Sequence, residues 1–135
     1  MSKLAHKDKP WLGPITWEPL SNLPDFIRTV DNAVMNTQEH ASLIAQAVDN
    51  AHLFADFPVS TMMDTLNDQR DIVSVYRRQI EQWRKGSLSM EQHFEITYFE
   101  GQCVRLDSLL SLAIDQLKVL KKKATSLGRS RSKSR

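Results

Sequence analysis

The chain has 135 residues, of which 41% are apolar and 25% charged, with four glycines, one cysteine and a formal net charge of +2. Those figures fit one soluble domain with a single core, exclude an internal disulfide, and argue against a β-protein that must turn often. The near-neutral total hides a partition: residues 1–117 hold all 16 acids against ten bases, a net −6, whereas residues 118–135 hold eight bases and no acid.

Residues 1–22 read as an extended arm. Pro10, Pro14, Pro19 and Pro24 forbid a helix interior and favour extended or polyproline geometry. Trp11, Leu12, Ile15, Trp17 and Leu20 make the arm too apolar for a free tail. Two readings stand: the arm covers a flank of its own helical body, or Trp11, Leu12, Ile15 and Trp17 anchor a partner protein or a second copy.

A first helix is expected over about 23–56. Pro24 suits its first turn, and Ser21 or Asn22 can cap it. The apolar seam runs Phe26, Val30, Ala33, Thr37, Ala41, Ile44, Val48, Ala51 and Ala55, with Thr37 its one polar member. The step from Ala33 through Thr37 to Ala41 is a small stutter that locally unwinds a supercoil. Pro58 pushes Phe57 out of helical geometry and ends the element.

A second helix is expected over about 61–85, capped by Ser60, with the seam Met62, Leu66, Gln69, Val73, Tyr76, Ile80 and Trp83. Gln69 is its polar intruder, a kind of residue that sets register at a cost in stability. Gly86 suits a left-handed stop after Arg84 and Lys85.

The third helix, about 90–123, organises the rest. Ile96, Phe99, Cys103, Leu106, Leu110, Ala113, Leu117 and Leu120 recur at spacings alternating between three and four, all apolar. Burying them stabilises the fold by on the order of 10–20 kcal/mol as an upper bound, so this helix needs partners. Ser89 and Gln92 form a capping box, and the short link from helix two predicts an antiparallel hairpin. Phe94, Tyr98, Leu109, Leu112, Ile114 and Val119 broaden its apolar surface beyond one contact, leaving area for the arm or a second subunit. Gly101 costs about 1 kcal/mol relative to alanine and marks a close crossing or a kink.

Residues 124–135 have no periodicity and nothing to bury, and read as a disordered basic tail. The expected fold is therefore all-α: a three-helix up-down-up antiparallel bundle with coiled-coil-like seams, an extended N-terminal arm and a basic Ser/Arg tail.

Chemistry is sparse. Cys103 sits on the buried seam, where a thiolate is disfavoured. There is no Gly-x-Ser-x-Gly elbow and no Gly-rich phosphate loop. Asp49 and His52 share a helix face, but His40 and His93 lack the second acid–histidine pair that a di-metal bundle needs. Asp64, Asp68 and Asp71 lack the spacing of a calcium loop and read as a solvated stripe. No catalytic residue, metal or cofactor is assigned.

The basic end is the best functional candidate. Lys121, Lys122, Lys123, Arg129, Arg131, Lys133 and Arg135 suit nucleic-acid phosphates, without an aromatic for base stacking. An acidic protein surface (its own, or another copy's), an anionic membrane and a purely solubilising role compete with that reading, and the Arg-Ser alternation is phosphorylatable in a eukaryote. The expected function is a non-catalytic interaction or assembly protein with an electrostatic tail, the alternative a nucleic-acid accessory protein that works mainly through the tail. Self-association is compatible with both. The chain has no spanning apolar run, no signal-peptide core and no Asn-x-Ser/Thr site. Its expected compartment is the cytoplasm, or the nucleus in a eukaryote.

Overall fold

The computed structural model describes residues 4–5, 14–15, 17–53 and 58–133. Three helices pack together: α1 (Leu23–Asp49), α2 (Val59–Arg84) and α3 (Met90–Lys133). Ahead of them, β1 (Leu4–Ala5) and β2 (Pro14–Ile15) form a two-residue antiparallel pair with Leu4 opposite Ile15, and a 3-10 turn spans Leu20–Asn22. α3 packs against both α1 and α2.

All eight members of the α3 seam are buried, from Ile96 to Leu120, and Ile114 joins them. A period alternating between three and four keeps one stripe facing inward over the whole length. On α1 the buried line is Val30, Val34, Thr37, Ala41 and Ile44, a strict alternation of four and three. Val34 takes the place expected for Ala33, which is only half-buried. The stutter is therefore absent: the larger Val34 buries more apolar area and keeps the seam in register. On α2, Leu66, Val73, Ile80 and Trp83 are buried, and Gln69 is only half-buried.

At one end the helices are joined by aromatic rings. Phe26 of α1 meets Tyr76 at 5.5 Å and Trp83 at 5.6 Å, both edge-on, and Phe99 of α3 lies 6.0 Å from Phe26 and 5.6 Å from Tyr76. Such pairs add to the area they bury. Arg84 grips Glu100 with two bonds of 2.7 and 3.1 Å, and Arg70 reaches Asp107 at 3.7 Å. Between α1 and α3, Tyr98 and Gln102 both donate to Asp31, at 3.0 and 2.8 Å.

Helix ends depart from expectation in several places. α1 stops at Asp49, short of 56: the Asn50 N–H makes the last helical bond, to the Gln46 carbonyl at 3.1 Å, and the Asn50 side-chain amide shares that carbonyl at 3.0 Å. Asn50 leaves helical geometry there, as asparagine does when its side chain competes for local backbone. A 3-10 turn, Ala51–Leu53, follows, and Ala55 lies outside the described residues. Asn22 does not cap α1: it is itself in helical geometry, and its side chain donates to Glu18 at 2.8 Å. Ser60 lies inside α2, behind Pro58, and makes no cap. Gly86 is not left-handed; its N–H closes a tight turn onto the Trp83 carbonyl at 3.2 Å. The capping box forms as expected, with Gln92 N–H to Ser89 Oγ at 3.1 Å and Ser89 N–H to Gln92 Oε1 at 2.8 Å.

α3 runs on to Lys133, past its expected end at 123. Residues 124–133 contain no proline, and extending an existing helix costs far less than starting one.

Candidate polyanion interface

The lysine-rich stretch of α3 lies beside the C-terminal end of α1 and the N-terminal end of α2. Lys118, Lys121, Lys122 and Lys123 are all exposed. At about 100° per residue Lys118, Lys121 and Lys122, spaced three and four apart, share one face of the helix, and Lys123 stands off it. Lys123 is partly committed: its Nζ donates to the Val48 carbonyl at 3.0 Å. A cation there complements the negative end of the α1 dipole.

Lys121 shares a hollow with Pro58, Ser60, Thr61 and Thr125 at the start of α2. That start has no side-chain cap and no acid in its first turn, so its first N–H groups and positive dipole end add to the field of the lysines. On the other flank, Lys122 and Lys123 border a hollow floored by Val48, Ala51 and Val119, with Asp49 and His52 on its rim. Arg129, Arg131 and Lys133 lie on the same continuous helix. Arg135 lies outside the described residues.

The arm divides. Trp11 and Leu12 lie outside the described residues, and Ile15 sits in β2. Trp17 is half-buried, and its indole N–H is enclosed with no acceptor among the described residues. Next to it, Glu18 is held by its backbone. Its N–H donates to Gln79 Oε1 at 2.7 Å, and its carbonyl accepts from Gln79 Nε2 at 3.3 Å and from Trp83 Nε1 at 2.9 Å. Gln79 thus meets Glu18 as a neighbouring strand would, with one donor and one acceptor. Residues 17–22 therefore lie on their own bundle, near Phe99, while Lys123 is about 36 Å further along α3 at 1.5 Å per residue.

Sequence reasoning missed Gln79. It stands one residue off the α2 seam, and the seam drew attention to Gln69 instead. A glutamine immediately before Ile80, on the edge of an apolar stripe, was the available signal.

Elsewhere, Asp64, Asp68, Asp71 and Asp107 line a hollow with Arg70 and Arg77. Asp107 is paired with Arg70, and Asp68 and Asp71 are engaged as well. Among the described residues no group of three or more His, Cys, Asp or Glu is placed to hold a metal. His40, His52 and His93 are exposed. Burial pushes the Cys103 thiol up to about 12, with Glu100 adding to the rise and Arg77 opposing it. Among the described residues no helix is long and apolar enough to cross a membrane.

No protein-family model matches this chain, and no similar curated protein or solved structure was found.

Proposed function

We propose that this chain is a non-catalytic helical interaction protein whose basic end docks on a polyanionic partner, with nucleic-acid phosphate as the favoured ligand and an acidic protein as the second. The observation that carries the reading is the charge partition. Eight bases and no acid occupy residues 118–135, and α1 ends beside Lys123 while α2 begins beside Lys121.

The architecture proposed with it is an up-down-up bundle. Along α1 and α3, Asp31 meets Tyr98 and Val48 meets Lys123, so the two numberings rise together. Along α2 and α3, Arg84 meets Glu100 and Arg70 meets Asp107, so one falls as the other rises. α3 then carries Arg129, Arg131 and Lys133 past the ends of its neighbours, as a basic spike. An intracellular setting suits a chain with one buried thiol and a phosphate-seeking end.

Such binding is read by salt. On duplex DNA the full chain is expected to show a log–log slope of about −3 to −6, with each phosphate contact contributing about 0.9. The combined variant Lys121→Gln, Lys122→Gln, Arg129→Gln and Arg131→Gln should flatten that slope with little change in stability. Absence of binding at ~100 mM salt, or an unchanged slope in the variant, removes the reading. Protein partners of the arm are tested separately: Trp11→Ala with Trp17→Ala should abolish capture of such a partner and leave the salt slope intact.

A further inference from the structure

Six of the eight large apolar side chains that stand exposed among the described residues belong to α3: Met90, Phe94, Tyr98, Val104, Leu112 and Val119. At 100° per residue they fall within roughly 120° of arc, centred opposite the buried seam. Met90 and Phe94 are 75% and 69% exposed, more than burial against α1 and α2 would leave them. The midline of this outward stripe carries Gly101 and Ser108, both exposed. A Cβ placed on Gly101 would meet nothing within 4 Å, so the glycine serves no close crossing inside the bundle. A stripe some 44 Å long, apolar at both ends and small along its midline, is a surface shaped for another helix.

Charge selects the occupant and its direction. Glu91 flanks the stripe at its N-terminal end, Lys118 flanks it and Lys122 lies within it at its C-terminal end, and Arg105 and Asp115 lie within its arc between them, all exposed. Two copies laid parallel would set their lysine ends side by side. Two copies laid antiparallel set acid against base and oppose the helix dipoles. We infer that the outward face of α3 pairs with the same face of a second copy, antiparallel and crossing at Ser108. That register faces Val104 with Leu112 and Tyr98 with Val119, sets Gly101 against Asp115, and brings Phe94 under the Lys122 ammonium. It is self-complementary under a two-fold axis, so the assembly closes at two copies. The two lysine ends then lie at opposite poles, about 42 Å apart between the Lys122 positions. On the proposed polyanion reading, the dimer bridges two sites; the pairing itself does not depend on that reading.

The experiment uses the full chain without nucleic acid, so its failure is distinct from failure of polyanion binding. Sedimentation equilibrium should show a monomer–dimer equilibrium, and Leu112→Glu should weaken it ~10-fold or more, since the residue enters the interface twice. Variants with one added cysteine then fix the geometry, because the native Cys103 is buried and its thiol protonated. Ser108→Cys should form a covalent dimer on mild oxidation. Gly101→Cys and Asp115→Cys should each fail to link to itself, since like positions lie about 21 Å apart, yet link to each other when mixed. A chain that stays monomeric to ~100 µM overturns the inference. So does Gly101→Cys linking to itself, which signals parallel pairing, or a dimer indifferent to Leu112→Glu.

Discussion

Gln79 shows how one polar side chain can be buried beside an apolar seam. It is only 4% exposed, and both ends of its amide are spent on the Glu18 backbone. A buried amide is tolerated only when its donor and acceptor are both paired, because an unpaired one costs about 1–3 kcal/mol. Gln79→Leu keeps the volume and removes the pairing, stranding the Glu18 N–H. We expect a loss of about 1–3 kcal/mol in urea unfolding, together with faster proteolysis near residues 17–22. Equal stability and unchanged proteolysis would show that water replaces the amide there. Gln79→Glu should be worse at neutral pH than at acid pH, because a carboxylate has no donor to offer the Glu18 carbonyl.

At the scale of one element, α2 and α3 contrast two kinds of glycine-bearing site. Gly86 ends α2 through a tight turn that any residue can adopt, since its φ is not left-handed. Gly101 lies in mid-helix with open space around it, so within one copy it gives only flexibility. Gly101→Ala is expected to raise monomer stability by about 1 kcal/mol, measured by thermal or urea unfolding at low protein concentration. No gain, or a loss, would mean that the residue is strained in a way the helix geometry does not show. The same substitution places a methyl on the crossing face, so weaker pairing beside higher monomer stability is the signature expected of the dimer.

For the whole molecule, Cys103 reports cooperativity. It lies fully buried on the seam of α3 between the other two helices, and its thiol is pushed up to about 12, chiefly by burial. Its folded pKa stands above the unfolded one. The corresponding stability is therefore fully present below about pH 9, and falls as pH rises from there through about 12. Stability should decline over that alkaline window, and Cys103→Ala, though less stable overall, should lose much of the decline. At neutral pH, thiol labelling should proceed no faster than global unfolding measured by circular dichroism; faster labelling would mean that α3 opens locally.

Sequence alone determined the helices and their inward faces, because periods of three and four are written locally. All eight α3 seam positions, the Ser89–Gln92 capping box and the breadth of the α3 apolar surface were legible in that way. Where Val34 displaced Ala33, the period admitted either residue, and only packing against neighbouring helices chose the larger. At Asn50 the side-chain amide shares the Gln46 carbonyl with the backbone N–H and the chain leaves helical geometry, a local choice that the apolar period does not express. The charge partition was equally plain in the sequence, but where it falls on the bundle was not. Only the tertiary structure set Lys123 on the end of α1 and Lys121 beside the start of α2, because those neighbours lie far away along the chain. The clamp of Gln79 on Glu18 joins residues 61 apart, and no local rule reaches that far.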